Sequence, residues 1–180
     1  MKPNAIRIEG QIAYITVVCK KRGFVGEAMI DVTDLERVRR LRWGATWDAK
    51  AQTYYVRTAV TWNDDERWRT TTLTLHRLVM KAPSRLKVDH RNHDGLDNRR
   101  ENLRVVTHAQ NMQNLKGARK GSSSGVRGVS WDTAYGKWKV GLKVNGRQMY
   151  LGRYESLADA EAVAVAGRQR HMTHSRECEA

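Results

Sequence analysis

LHRLVMKAPSRLKVDHRNHDGLDNRRENLRVVTHAQNMQN, residues 75–114, is the stretch around which the rest of the chain is read. Leu75 to Met80 reads as a short helix ended by Pro83, whose ring and missing N–H stop a helix. An apolar step, Leu86 to Val88, leads as a strand into Asp89-His90, and a polar loop follows over residues 92–95. Leu103 to Val106 reads as a second strand, and Thr107 caps a helix that carries Asn111. Asn102 lies thirteen residues after Asp89, and Asn111 twenty-two. A carboxylate, an imidazole and a late amide oxygen make a site for a hard divalent cation, which takes oxygen ligands and keeps several waters. An unligated His beside such a site can take a proton from an attacking water. The cation offsets charge on a phosphate and its leaving oxygen.

The phrases Leu75-His76-Arg77-Leu78, Val88-Asp89-His90, residues 96–104 (LDNRRENLR) and Asn111-Met112-Gln113-Asn114 resemble the HNH endonucleases, in the form where Asn replaces the last His. The resemblance implies a ββα-metal core in which Asp89 and Asn111 hold the metal and His90 is the general base. It also implies that Asn102 ties down the loop orienting that His. The implied cofactor is Mg2+, with Mn2+ second, and no structural zinc is expected. Some relatives brace this fold with four cysteines. This chain has two, Cys19 and Cys178, far apart and without a CxxC pair. His76 reads as a packed or helix-capping residue, His93 as an exposed turn residue, and His108 as lying outside the site. Asn114 follows Asn111 by three and stays open as a further ligand.

Charge points to the same class of partner. Thirty-three Lys and Arg against nineteen Asp and Glu leave +14 over 180 residues, which favours a polyanion. No apolar run approaches the ~18 residues of a spanning helix, and no signal peptide is read. The expectation is double-stranded DNA in the cytoplasm, not a membrane. Residues 116–154 hold nine of the basic side chains and one acidic one, so they need their own explanation.

Residues 1–70 read as a small α+β lobe. Ile6 to Ile15 alternates around Glu9-Gly10 as a hairpin, and a short strand near Ala28 to Ile30 ends at Asp31. Thr33 and Glu36, at capping-box spacing, open a helix through Leu35, Val38 and Leu41, with Trp43 and Trp47 closing its packing. Tyr54 to Arg57 reads as a strand and Trp62 to Arg69 as a polar loop. The nuclease core follows at 71–115. A flexible basic linker covers 116–125.

Residues 126–175 read as a second domain. Three strands, Val126 to Trp131, Lys137 to Val144 and Arg147 to Arg153, carry a two-residue Asn145-Gly146 hairpin turn. In the middle strand Trp138, Val140, Leu142 and Val144 alternate with Lys137, Lys139, Gly141 and Lys143, so the lysines share one face. Leu157, Ala160, Val163, Ala164 and Gly167 form the apolar side of a helix that covers the other face. The phrases Val126-Arg127-Gly128-Val129, Tyr135-Gly136-Lys137-Trp138 and Tyr150-Leu151-Gly152-Arg153-Tyr154 resemble the ethylene-response-factor (Apetala-type) DNA-binding domain. By position the resemblance implies DNA contacts from Arg127, Tyr135, Lys137, Lys143 and Tyr150, and Lys139 shares the lysine face. Ser130, Asp132 and Gln148 stand where those proteins usually carry Arg, so base preference does not transfer. Gripping phosphate and reading a sequence both fit the face.

The expected protein is therefore α+β. It has an N-terminal lobe, a ββα-metal nuclease core and a three-stranded antiparallel sheet on one helix. The expected activity is metal-dependent DNA cleavage by a mobile, homing-type or phage-borne enzyme. A catalytically silent DNA-binding regulator is the alternative.

Overall fold

A computed structural model describes residues 3–115 and 117–175. The chain is α+β, built of small antiparallel sheets and few helices, and falls into two compact units, Met1–Val106 and Thr107–Ala180. In the first unit, β1 (Ile6–Glu9), β2 (Ile12–Cys19) and β3 (Phe24–Asp31) form a sheet in sequence order. Gly10 takes a positive φ of 56° in the first turn, where a residue without Cβ is unstrained. Ala13, Ile15, Val17 and Cys19 alternate into the core along β2, as period two requires. A 3-10 turn at Val32–Asp34 leads into α1, which is only Leu35–Val38 and has no side-chain cap. The longer helix expected through Leu41 does not form. The side chain of Asp34 is instead engaged by Arg37 and Arg100.

The second sheet orders β4 (Gly44–Asp48), β5 (Thr53–Asn63) and β6 (Trp68–Thr74). β5 and β6 make a long hairpin in which Arg57 pairs with Thr74 and Asn63 with Trp68. Of the stretch read as a polar loop, Trp62 to Arg69, both ends are strand and only residues 64–67 form the connecting loop. Trp62 and Trp68 are exposed there.

α2 (Leu75–Met80) follows directly, then β7 (Lys87–His90) and β8 (Leu103–Val106) as an antiparallel pair. Leu75 and Val79, one helical turn apart, and Leu103 enter the same core as Ile15, Ile30, Val38 and Val56. Residues 1–70 and 71–106 therefore share one core, with no division at 70/71. Polar contacts reinforce the join. Met29 N–H donates to Leu96 O (2.8 Å), Asn98 N–H to Met29 O (2.8 Å), and Arg100 N–H to Asp31 Oδ2 (2.8 Å). Arg100 Nε and Nη2 reach the buried Asp34 carboxylate at 2.8 and 2.7 Å.

The second unit opens with α3 (His108–Asn111), continued by a 3-10 turn at Met112–Asn114. Thr107 forms a full capping box with Gln110: its Oγ1 accepts from Gln110 N–H (3.2 Å) and its N–H donates to Gln110 Oε1 (2.8 Å). β9 (Val129–Asp132), β10 (Lys137–Val144) and β11 (Arg147–Tyr154) form an antiparallel sheet with β10 central. Asn145 and Gly146 both take positive φ, 50° and 82°, as a type I′ turn demands. α4 (Leu157–His171) is capped by Ser156 and packs Ala160 and Ala164 on Val129 and Val140. At Gly167 a Cβ would stand 2.5 Å from Leu151 Cδ1, so a larger residue there would make the Leu151 side chain shift. Ser124 Oγ donates to Val129 O (2.7 Å), which anchors the end of the expected linker; Lys116 and Cys178 lie outside the described residues. No helix among the described residues is long and apolar enough to cross a membrane.

Leu75→Ala tests the shared core. Removing this fully buried side chain is expected to cost about 2–5 kcal/mol in urea denaturation. A loss below about 1 kcal/mol would mean that α2 does not close the lobe's core.

Candidate functional site

Asp89 and His90 sit side by side at the end of β7, where alternation sends their side chains to opposite faces of the pair. Asp89 lies opposite Arg104 on β8, and Arg104 Nε and Nη2 both contact its Oδ2 at 2.9 Å. His90 is 4% exposed. Burial lowers its pKa below the ordinary 6.5, against the upward pull of a hydrogen bond to Asn98 and of the Asp89, Asp94 and Asp97 charges. The imidazole is therefore neutral near pH 7.

Asn98 determines which nitrogen carries the proton. Its Nδ2 donates to Gly95 O (3.2 Å) and Leu96 O (3.0 Å), so its Oδ1 is the atom 3.4 Å from His90 Nε2. An amide oxygen accepts only, so Nε2 is the protonated nitrogen and Nδ1 the basic one. Nothing in the spacing of the motif singles out Asn98 for this role.

The loop after His90 is closed by two side chains. Asn102 Oδ1 accepts from Asn92 N–H (3.1 Å), its Nδ2 donates to Asp97 O (2.8 Å), and its backbone O accepts from Arg91 N–H (2.9 Å). Asn102 thus ties the start, middle and end of the loop together. Asp97, 1% exposed, receives Arg99 Nε and Nη2 at 2.8 Å each and Asn92 Nδ2 at 3.0 Å. Burial would raise its pKa, but the Arg99 bonds and charge and the Asn92 bond outweigh that and hold it below the usual carboxylate range.

His76 lies beside His90, ring edge to ring face, with centroids 5.1 Å apart. Tyr55 touches both rings, at 5.8 Å and 5.7 Å. His93 takes a φ of 63° and donates its N–H to His90 O (3.2 Å), and His108 is the exposed first residue of α3. Asp89, His90 and Asn102 are brought together in the first unit. Asn111 ends α3 in the second unit, and Asn114 is buried in the 3-10 turn after it. Among the described residues no group of three or more His, Cys, Asp or Glu side chains gathers as a metal site.

In the second unit Lys137, Lys139 and Lys143 share the face of β10 turned away from α4. Arg153 pairs with Asp132 (2.8 Å) and lies over the Tyr135 ring at 3.9 Å, while its Nη1 donates to the Tyr150 hydroxyl at 3.1 Å. Tyr135 and Tyr150 are exposed. A groove of about 880 Å³ borders this face, lined by Arg119, Lys120, Lys139, Lys143 and Gln148 among others. Arg127 behaves differently from the other expected DNA-binding residues. Its guanidinium donates to Gln113 O (2.7 Å), Met112 O (2.8 Å) and Leu115 O (3.3 Å), so it ties the end of the α3 segment to the sheet domain. Only tertiary packing reveals that use.

Residues 75–113 match the family model described as HNH endonuclease. The matched segment contains Asp89, His90, Asn102 and Asn111, and at the level of the family it carries a nuclease, a hydrolase acting on nucleic acid. Curated proteins and solved structures return no match to the chain.

The tautomer of His90 in this HNH segment is directly measurable. Long-range 1H–15N NMR of labelled histidine is expected to show protonated Nε2 in the folded protein at neutral pH. A protonated Nδ1 would contradict the assignment through Asn98.

Proposed function

We propose that the chain is a metal-dependent DNA endonuclease with a C-terminal DNA-binding module. The observation that carries the reading is a buried, neutral His90 inside a segment matching the HNH endonucleases, with the Asn98 bond leaving Nδ1 as its basic nitrogen. Nδ1 of His90 takes the proton from the attacking water, and Asn102 keeps the following loop in place. Asp89 and Asn111 are the residues that would hold a divalent cation. Both offer oxygen donors, and two protein ligands suit an ion that keeps most of its water, Mg2+ before Mn2+. When bound, the cation neutralises charge on the scissile phosphate and the leaving oxygen. The homing-type or phage-borne character rests on the resemblance of the HNH phrases.

The test is plasmid cleavage. Wild-type protein is expected to relax or linearise supercoiled DNA with Mg2+ and not with chelator. His90→Ala is expected to lose about 10²–10⁴ in rate while still binding DNA. Because burial lowers the His90 pKa, the acid limb of the rate profile should fall below pH 6.5. Binding without cleavage by the wild type would favour a silent regulator, and unimpaired cleavage by His90→Ala would place the base elsewhere.

The DNA-binding half of the proposal rests on the lysine face with Tyr135 and Tyr150 beside it. A chain stopped after Lys116 would lose the Arg127 bonds to residues 112–115, so substitutions in the full chain give the cleaner measurement. Lys137→Ala, Lys139→Ala and Lys143→Ala together are expected to weaken binding to every duplex. They should also flatten the slope of log affinity against log salt by roughly 0.9 for each phosphate no longer held. An unchanged slope would move the anchor to another surface.

A further inference from the structure

Arg57 stands out electrostatically in the first unit. It lies on β5 where the long hairpin leaves the core, and period two puts it on the same face as Tyr55. Its guanidinium makes no hydrogen bond or ion pair among the described residues, and its Nε is buried without a partner. Arg99, Arg100 and Arg104 are ion-paired, with Asp97, Asp34 and Asp89, and Arg77 donates to the carbonyls of Ala82, Pro83 and Leu86. A half-buried cation without a counter-ion is costly unless something else supplies the charge.

A second unmet group lies beside it. His76 Nδ1 is also buried without a hydrogen-bond partner. His76 Nε2 is 3.1 Å from Thr74 Oγ1, and Thr74 is the cross-strand partner of Arg57. Burial, followed by the charges of His90, Arg77 and Arg57, pushes the His76 pKa down to about 3, so the ring is a neutral hydrogen-bonding group. Either partner of the Thr74–His76 bond can donate; with the Thr74 hydroxyl as donor to Nε2, Nδ1 carries the proton. Two N–H donors, Arg57 Nε and His76 Nδ1, then lack acceptors next to Tyr55 and His90. Buried polar groups left this way mark places where an ion or ligand completes the bonding.

We infer that Arg57 and His76 bind a backbone phosphate of the nucleic acid beside His90, Arg57 by charge and His76 by its Nδ1–H. A phosphate oxygen supplies both what is missing: negative charge for the guanidinium and an acceptor for each N–H. Placed there, the donors hold the phosphate against the base, and the Arg57 charge acts on it most as further negative charge develops in the transition state. The inference rests on the nuclease reading and names the groups with which that site receives its substrate.

Two readouts keep the site and the activity apart. In 15N-histidine-labelled full-length protein, millimolar inorganic phosphate is expected to shift the His76 resonances of the wild type and leave those of Arg57→Gln in place. Under Mg2+, Arg57→Gln is expected to lower the plasmid cleavage rate about 10²-fold even at saturating DNA, a loss that added DNA does not restore. Arg57→Lys should recover part of the loss, which a purely structural role would not produce. The dispersed spectra of both variants report folding in the same samples. A wild type that cleaves nothing would sink the nuclease reading and leave the phosphate titration to decide on the site. Phosphate that leaves His76 unmoved, or Arg57→Gln cleaving at the wild-type rate, would overturn the inference.

Discussion

The position of His90 depends on the closure of the loop that follows it, and the buried carboxylate of Asp97 performs that closure together with Asn102. Strands β7 and β8 are four residues each, too short to hold a twelve-residue connection in one conformation by ladder bonds alone. Each ordered loop residue costs about 1–2 kcal/mol of backbone entropy. Charge-assisted bonds from Arg99, the Asn92 amide and both ends of Asn102 oppose that cost locally. The same loop pairs with β3 through Met29, so the lobe becomes the support of the His90 turn. Asn98 then converts a fixed backbone into a fixed tautomer.

Charge is used differently in the two units. Around His90, Arg99, Arg100 and Arg104 are neutralised by carboxylates of the protein, whereas Arg57 makes no such pair among the described residues. On the β10 face Lys139 and Lys143 remain in solvent, where each can meet a phosphate, while Lys137 pairs with the exposed Glu155 at 3.2 Å. Arg153 is intermediate: held by Asp132 and lying over Tyr135, it orders the aromatic side chains of that face before any ligand arrives. Arg127 is directed inward, its guanidinium on the carbonyls that end the α3 segment, where a helix terminus leaves acceptors unsatisfied.

Elements with a strong local signal were legible in the sequence. The hairpin at Gly10, the helix Leu75–Met80, the cap at Thr107, the Asn145-Gly146 turn and the apolar side of α4 all rest on periodicity or on one residue's turn chemistry. The outer part of the β5–β6 ribbon, beyond Arg57, was not legible, because it is largely exposed and carries no alternation of apolar residues. The helix expected from Thr33 and Glu36 forms over Leu35–Val38 but stops short of Leu41 and lacks the capping box, and the neighbouring Asp34 is drawn into a tertiary ion pair with Arg100, sixty-six residues away. A separate domain boundary at residue 70 failed for a related reason. A four-residue strand pair and a six-residue helix cannot bury a core of their own, so they use the lobe's. In the site, Asp89, His90 and Asn102 were readable from the motif. Asn98, Asp97, Arg57 and the packing of His76 against His90 depend on neighbours that spacing does not encode.

The central claim is that the His90 imidazole is the base that starts phosphodiester hydrolysis, and chemical rescue tests it most directly. His90→Gly protein, with its side chain replaced by a cavity, would be assayed for plasmid cleavage under Mg2+ with and without added imidazole. The account predicts almost no cleavage by the variant alone and a concentration-dependent recovery with imidazole, with no such gain for the wild type. Wild-type cleavage by His90→Gly without imidazole would contradict it.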